Sequence, residues 1–471
     1  LYDATMHEMI GFADNTGKTE VTIKGNALIG PKKEDLTNPT EAEFTAFFGS
    51  SVPYDDEHIH QYADTAFKYL GGNVGLVFGA GCGLPGDAFN GLTFNNNSFV
   101  NISETAQVVG SVFGGGENAH VYHNSQVGIA GGTIGGVPLH EGTYPVAEGA
   151  YYDAEHPLTL HLATNESEIA EDSYGASLRR VFRGEVYGGG KGTEQYEDAN
   201  HNKLYSFLAG RVFGNSTVNI TGGTIYNKVY GGGSLASVGT FNYYSYTEGE
   251  GDQAHTVVTD SIIGVVNGTG LASVTIDGVT IGQNGKNEGD VYGGGRGLVG
   301  TPGSQLVNMA YVGSTLVTIN QSEGKTTLIP SNVYGGAANG HVQGDANIVM
   351  NGGQIGTDNS HGWHGNVFGG GGGTQQYTLP NGDKHLSITS GRVFGDTRVE
   401  IKGGTVKHNV YGGGAIASVG TYNVHSITRP YLGHGITEVI ITGDENSKTT
   451  IGTNGNENGM VFASGRGDID L

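Results

Sequence analysis

Two short hydrophobic patterns alternate along most of the chain. In one, a β-branched residue and an aromatic residue precede glycines, as in Val-Tyr-Gly-Gly-Gly at residues 229–233. In the other, apolar residues occupy every second position, as in Val-Asn-Ile at 218–220 and Val-Thr-Ile at 274–276. β-branched and aromatic residues favour strands, and alternation with a period of two is typical of a strand with one buried face. The sequence therefore predicts many short strands that end at glycine.

The glycine pattern recurs at intervals that indicate a solenoid, in which each turn buries its inner face against its neighbours. Its first glycine predicts a structural corner, where the chain needs a positive φ or a close approach of another backbone. These corners are Gly114, Gly188, Gly231, Gly293, Gly335, Gly369 and Gly412. The aromatic residue before each corner predicts a ladder of stacked rings, with an exposed stacking surface for sugars as the alternative.

The predicted fold is all-β: a single-stranded parallel β-helix with a small helical insertion, right-handed by the general chirality of parallel connections. Turns of about 20–25 residues would give about 15–20 turns, and strand spacing would then make a rod about 80 Å long. The chain divides into six segments. They are the β-helix start at 1–30, the helical insertion at 31–73, further coils at 74–136, an excursion at 137–185, a first module copy at 186–366 and a truncated second copy at 367–471.

The helix of the insertion is predicted to begin at 55–57 (Asp-Asp-Glu) and to end before the glycines at 71–72. Acidic residues favour the first turn of a helix, and glycine favours its end.

The two module copies are visible as internal repeats. Gly-Arg-Val-Phe-Gly occurs at 210–214 and again at 391–395, an offset of 181 residues, and residues 112–135 match residues 333–356 at an offset of 221. The positions that match are glycines, valines and aromatics, which indicates scaffold. Specificity is expected in the loops that differ, because exposed loops on a rigid scaffold commonly carry binding residues. Tyrosine and tryptophan offer large contact areas, and the candidate contact residues are Tyr196, Tyr205, Tyr243, Tyr244, Tyr246 and Trp363.

Composition and net charge exclude several fold classes and several kinds of binding partner. Glycine accounts for 86 of the 471 residues and proline for only 11, which fits neither collagen nor a disordered Pro-Gly composition. The net charge of −23 argues against nucleic acid and against an anionic membrane surface as partners. Cys82 is the only cysteine, so neither a disulfide framework nor a thiolate metal site is predicted. No apolar run is long enough to span a membrane.

An enzyme is an alternative class, because β-helices also carry polysaccharide lyases and glycoside hydrolases, which need paired carboxylates or calcium beside a basic residue. The candidate carboxylates are Asp55, Asp56 and Glu57, or Asp198 with Glu194. His120 and His341 occupy equivalent positions of the repeat, whereas an active site need occur only once. No catalytic residue, cofactor or metal site is predicted. Isolated calcium, at 444–445 or at Asp468 and Asp470, is left open.

The repeated aromatic-Gly-Gly and Gly-Gly-x-Ile phrases resemble those of the β-helical passengers of bacterial surface and autotransporter-like adhesins. They are also similar to glycine-rich proteins of Bacteroidetes-type gut bacteria that carry repeated Val-Tyr-Gly-Gly-Gly. The resemblance covers nearly all of the chain except 31–70 and 137–185. It implies a secreted or cell-surface protein with a role in adhesion or assembly, and it specifies no receptor.

The sequence thus predicts an extracellular bacterial surface protein, a rigid adhesin-like stalk and binding surface without catalysis. Its expected partner is a glycan or protein on the surface of a host or neighbouring cell. Because solenoids need their end coils covered, a subunit that assembles end to end with other copies into an extracellular fibre is one alternative. A polysaccharide-degrading enzyme on a β-helix scaffold is the other.

Overall fold

The fold is a parallel β-helix, as predicted: nearly all regular structure is strand, and the large sheets are parallel. The computed structural model describes residues 2–3, 8–9, 17–30, 40–48, 50–55, 58–59, 75–84, 93–135, 150–152, 160–162, 184–192, 196–197, 203–204, 206–249, 255–282, 289–297, 309–358, 363–373, 377–378, 384–385, 390–420, 435–443, 448–453 and 458–467.

The coils build three walls. In the described residues the first and second walls share one sheet of 16 strands, and the third wall is a separate sheet of nine. Ser125–Ile134 and Ser216–Ile225 bend from the first wall into the second, and they join the two walls. The other strands of the first wall are Lys18–Ile23, Asn97–Ile102, Leu271–Asp277, Ser314–Asn320, Ala346–Met350, Thr397–Ile401 and Thr437–Ile441.

The remaining two walls consist mostly of two-residue strands. The other strands of the second wall are Leu28–Ile29, Gln107–Val108, Thr280–Ile281, Leu328–Ile329, Gln354–Ile355, Gly404–Val406 and Thr449–Ile451. The strands of the third wall are Val77–Phe78, Val112–Phe113, Val186–Tyr187, Val229–Tyr230, Val291–Tyr292, Val333–Tyr334, Val367–Phe368, Val410–Tyr411 and Val461–Phe462.

A shorter line of parallel pairing lies between the third wall and the next first-wall strand. It consists of Phe94–Asn95 with His120–Val121, Tyr311–Val312 with His341–Val342, and bridges at Val212, Val238, Val393 and Val419. Antiparallel hairpins leave the coils between walls. They are Tyr2–Asp3 with Glu8–Met9, Ala150–Tyr152 with Leu160–Leu162, Tyr196–Glu197 with Lys203–Leu204, Phe241–Glu248 with His255–Val265, and Tyr377–Thr378 with Lys384–His385.

The predicted number of turns is wrong. The third wall has nine strands in the described part of the chain, which means nine coils, and stacked neighbours such as Asn320 and Asn351 are 31 residues apart. Asn332 and Asn366, in another pair of adjacent coils, are 34 apart. At the usual strand spacing, nine coils span about 40 Å, half the predicted length. A coil contains a strand in each of the three walls and the loops between them, so it is longer than the predicted 20–25 residues.

The core lies inside the three walls. Its columns of valine and isoleucine, such as Val100, Val127, Val218, Val274 and Val317, run from coil to coil and are completely buried. The period-2 alternation of the first-wall strands places these residues on the inner face and their neighbours outside. A second, smaller cluster of buried valines follows the short line of pairing.

Buried hydroxyls join the first wall to the third. The side-chain oxygens of Ser98, Ser125, Ser216, Thr315 and Thr397 each donate a 2.6 Å hydrogen bond to the carbonyl of the first glycine in the corner that follows. An unpaired buried carbonyl costs about 1–3 kcal/mol. These bonds therefore satisfy corner carbonyls that the apolar interior could not.

The first glycine of each corner is required by close backbone approach and not by a positive φ, since none of the seven predicted corner residues has one. A Cβ at Gly231 would meet the carbonyl oxygen of Gly293 in the next coil at well under 3.0 Å, and the other six corners are equally close to the coil that follows. Ala463 occupies the same position in the ninth coil, on which no further described coil stacks.

The aromatic ladder is present as a continuous stack on the outer side of the third wall. Adjacent ring centroids are 4.5–5.1 Å apart and no pair is tilted by more than 14°. The nine described rings are Phe78, Phe113, Tyr187, Tyr230, Tyr292, Tyr334, Phe368, Tyr411 and Phe462. From Phe113 to Tyr411 they are at most 7% exposed, so this part of the ladder is not the alternative exposed stacking surface.

The helical insertion differs from its prediction. A helix occupies Glu41–Phe48, earlier than expected, and its Phe44 is completely buried. Thr40 followed by Glu43 is a capping-box signal that could have located its start. At the predicted start, Asp55 Oδ1 accepts from the backbone N–H of His58, and residues 58–59 are helical. The rest of the predicted helix lies outside the described residues.

The repeated segments lie four coils apart. Val121 leads to Val342 through four successive bridges or pairs of the short line, and Val212 leads to Val393 through four more. The sequence offsets of 221 and 181 therefore describe the same module of four coils, with loops of different length.

Candidate functional site

The hairpin of Phe241–Glu248 and His255–Val265 presents the exposed tyrosines. Tyr244 is 44% and Tyr246 43% exposed, and their rings lie 6.3 Å apart on the same face of the strand. Ile263 and Val266, near the end of the returning strand, are also exposed. The hairpin thus carries a neighbouring pair of tyrosines that are each more than 40% exposed.

Tyr243, grouped with these residues from sequence, has a different environment. Its hydroxyl accepts from Arg211 Nη1 at 3.2 Å, and its ring lies edge-on to Phe207. Arg211 is 1% exposed and also donates from Nε to the carbonyl of Gly239 at 3.0 Å. The contact anchors the base of the hairpin to the coils, so Tyr243 positions the exposed pair and is itself half-buried.

The other sequence candidates are placed less completely. Tyr196 pairs with Leu204 in a short hairpin, and nothing further is described of its side chain. Tyr205 lies outside the described residues. Trp363 is half-buried, packs against the aromatic ladder, and carries the Arg466 guanidinium over its ring at 3.7 Å. Trp363 therefore lies beside the aromatic ladder, whereas Tyr244 and Tyr246 lie on the hairpin.

A polar row runs beside the ladder, at the position before seven of the nine third-wall valines, and sequence reasoning missed it. The two exceptions are Leu76 and Met460. Asp290 Oδ1 accepts from Ser331 Oγ at 2.6 Å and from Asn332 Nδ2 at 3.2 Å. Asn366 then donates to Asn332 Oδ1, and His408 Nδ1 contacts Asn366 Oδ1 at 2.8 Å. The residue preceding each Val-(Tyr/Phe)-Gly motif was the signal that could have found this row.

Asp290, in this row, is almost fully buried and lines a cavity. Burial by itself would raise the pKa of its carboxyl, but Lys228 Nζ at 3.2 Å and the Ser331 hydroxyl outweigh burial and hold the pKa below its ordinary value. Burial and the charge of Asp290 raise the pKa of Tyr334 well above its ordinary range. At neutral pH the site therefore contains a carboxylate and a protonated phenol.

His120 and His341, predicted as structural equivalents, are both buried against aromatic rings. His120 lies edge-on to Phe213 at 5.3 Å, and His341 stacks on Tyr311 at 4.8 Å. Burial, reinforced by the Arg211 charge, lowers the pKa of His120 to about 4. Both histidines thus belong to the packing of the scaffold.

His120 should make stability depend on pH. The folded protein keeps it neutral down to about pH 4, whereas the unfolded chain protonates it below about 6.5. We expect the free energy of unfolding to fall as the pH drops from 6.5 towards 4, by about 3 kcal/mol from this residue, at about 1.4 kcal/mol per pKa unit. When the free energy of unfolding is measured with urea at several pH values in this range, it should change less with pH in His120→Phe than in the unsubstituted protein. The exposed His255→Gln is the control, and equal slopes for His120→Phe and the unsubstituted protein would contradict the assignment.

The candidate carboxylates for catalysis are only partly described. Asp55 contacts His58 Nδ1 at 2.5 Å as part of the helical turn. Asp56, Glu57, Glu194 and Asp198 lie outside the described residues, as do the candidate calcium positions at 444–445, 468 and 470. Within the described ranges, no group of three or more His, Cys, Asp or Glu side chains could hold a metal ion. No helix there has the length and apolar character needed to cross a membrane.

Comparison with known proteins leaves the fold and these contacts as the basis for function: no protein-family model matches the chain, and no curated protein or solved structure is significantly similar to it.

Proposed function

We propose that this chain acts as a rigid, non-catalytic binding rod of an extracellular bacterial surface protein, with an adhesin-like role. The observation that carries the proposal is the anchored hairpin. A stack of hydrogen-bonded coils holds its base through Arg211 and Tyr243, and the exposed Tyr244 and Tyr246 are presented beyond it. Tyrosine supplies large, amphipathic contact area at low entropic cost, which suits recognition of glycans and proteins.

The partner proposed is a glycan or protein on a host or neighbouring cell. Loop divergence between the two modules supports this, because the coil four steps later has a different sequence at the same place: 241–246 reads Phe-Asn-Tyr-Tyr-Ser-Tyr and 422–427 reads Tyr-Asn-Val-His-Ser-Ile. A scaffold that is kept while its projecting loops change is the pattern expected of a binding protein.

The test is loss of binding in the double variant Tyr244→Ser/Tyr246→Ser. Truncation of aromatic contact residues commonly costs at least about 1–2 kcal/mol each, so we expect binding to a glycan array or to whole cells to weaken by about tenfold or more. Ser245→Ala, on the opposite face, is the control and should bind normally. Binding that is unchanged in the double variant, with thermal stability also unchanged, would refute the hairpin as the contact surface.

End-to-end assembly into a fibre is less well supported. Its favourable observation is the exposure of Val461 (47%) and Phe462 (38%) in the ninth described coil, on which no further described coil stacks. The opposing observation is Ala463. A coil of a second copy stacked in the register of the other coils would bring its corner carbonyl against the Ala463 methyl group, in the space that glycine leaves open elsewhere.

A further inference from the structure

A cavity of about 210 Å³ opens beside the aromatic ladder in the second half of the rod. It is assembled from four successive coils. Its lining includes two aromatic rings, Tyr334 and Trp363, and two members of the polar row, Asp290 and Asn332. Gly372 and Ile416 also line it. The volume suits one small ring rather than an extended ligand, since pockets for drug-sized molecules are usually larger.

The equivalent place in the first half of the rod is filled. The counterpart of Gly372 is Lys191, whose side chain is buried and pairs with Glu117 at 2.8 Å. The counterpart of Glu117 is Ala338, which lies beside Gly372. The replacement of a lysine and a glutamate by glycine and alanine removes the side chains that would occupy this space.

The lining also differs in its polar groups. Asp290 and Tyr334 stand where the coils four steps earlier have the apolar Leu76 and Phe113, and Asn332 stands where they have Ser111. Asp290 and Asn332 bond to each other, and Asp290 also bonds to Ser331 and Lys228, so their burial is compensated within the protein. With the lysine and glutamate missing, these groups line an open space instead of a filled one.

Strain at the rim is a separate indication. Ile416, which also lines the cavity, has φ = 55°, a conformation that β-branched residues rarely adopt. Its N–H donates to the carbonyl of Arg466 at 2.7 Å, and the same arginine covers Trp363. Such strained residues are concentrated at binding sites and other functional positions.

The charges around the cavity favour a neutral ligand. The Asp290 carboxylate disfavours binding of an anion. Lys228, which pairs with Asp290, and Arg466, which lies over Trp363, disfavour binding of a cation. An apolar ligand would desolvate polar atoms of the lining without replacing their hydrogen bonds. A neutral ring bearing hydroxyl groups would avoid the charge repulsion and would also form hydrogen bonds with the polar atoms of the lining. The protonated Tyr334 can donate to such a ligand, and Asp290 Oδ2 can accept from it in addition to contacting Lys228.

We propose that this cavity binds one neutral sugar ring, the terminal residue of a glycan, with the half-buried Trp363 among its lining residues. One face of the Trp363 ring is covered by Arg466, so the sugar would contact the remaining exposed part of the ring. The inference rests on the proposed function in that it supplies the glycan class for a binding rod. It concerns a different surface from the hairpin, so that either can fail alone.

Trp363 allows a direct test, because it is the only tryptophan in the chain. The intact chain would be titrated with the methyl glycosides of glucose, galactose, mannose and N-acetylglucosamine while tryptophan fluorescence is recorded. We expect a saturable change with at least one of them, with a Kd in the millimolar range. The matched variant is Gly372→Lys/Ala338→Glu, which copies the buried Lys191–Glu117 pair and should abolish the change. A Cβ at residue 372 would lie 3.2 Å from Tyr292 Cε1, and φ there is not in the strained region.

The hairpin variant separates the two proposals. Tyr244→Ser/Tyr246→Ser should keep the sugar-dependent fluorescence even if it loses binding to cells. No fluorescence change with any of the four glycosides would overturn the inference, as would a change that persists in the filled variant or a response to an anionic sialoside alone. Should the filled variant have a lowered thermal midpoint, Gly372→Val provides the same test with a smaller side chain.

Discussion

Replacing Gly231 by alanine is expected to lower the free energy of unfolding by about 3 kcal/mol or more. The added methyl group would meet the carbonyl oxygen of Gly293, which is held by the Gly231 strand pairing and by the coils beyond it. Overpacking of an interior commonly costs about 1–3 kcal/mol, and more where the neighbour is backbone that cannot move aside. The measurement is thermal or urea unfolding of the variant beside the unsubstituted protein.

Gly467→Ala is the matched control, because a Cβ at Gly467 has no atom within 4 Å. Its stability should change by no more than about 0.5 kcal/mol, as is usual for surface substitutions. If both variants were equally stable, the corner glycines would not be set by the coil that follows them.

Removing one ring from the aromatic ladder should have an effect of similar size. Tyr230 is 1% exposed and stacks on Tyr187 at 4.7 Å and on Tyr292 at 5.1 Å. Truncation of a buried aromatic residue to alanine costs about 3–5 kcal/mol, which includes the cavity that is left. We therefore expect Tyr230→Ala to lower the unfolding midpoint strongly.

Tyr230→Phe tests whether the ring or the hydroxyl stabilises the ladder. Phe113 and Phe368 occupy equivalent positions in the same stack, so the loss should be no more than about 1 kcal/mol, the value of one hydrogen bond. A phenylalanine variant as unstable as the alanine variant would show that the polar contacts of the hydroxyl, not ring stacking, hold this position.

The sequence predicts the local elements well because their signals are local. Val229 and Tyr230 form a strand by preference, and Gly231 ends it, whatever the rest of the chain does. Coil number depends instead on which strands pair. Val218 and Val229 belong to two walls of one coil, and no short stretch of sequence reveals this. Pairing between coils joins residues at least 26 apart, such as Val212 and Val238, and is a property of the whole fold.

The candidate sites also include one feature that local sequence predicts and one that depends on pairing between distant parts of the chain. Period-2 alternation places Tyr244 and Tyr246 on one face and Tyr243 on the other, so their different environments could have been derived from sequence. The cavity could not have been located in that way. Its polar row crosses several coils, and Trp363 meets Arg466 from the last of them. Only the exchange of Lys191 for Gly372, seen by aligning the two modules, left a trace in the sequence.

The corner geometry has a consequence for how such a rod grows in evolution. The corner glycine of one coil leaves the space that the corner carbonyl of the next coil occupies. Whether a further coil can stack in this register therefore depends on the corner residue of the coil before it. A block of coils copied from within the rod is compatible with its new neighbours at both junctions, because every corner before the ninth already has this glycine. Duplication is therefore structurally easy, and the loops of the new copy are free to diverge. At Ala463 the corner residue has a methyl group, which would occupy the space that a carbonyl of a further coil in the same register needs.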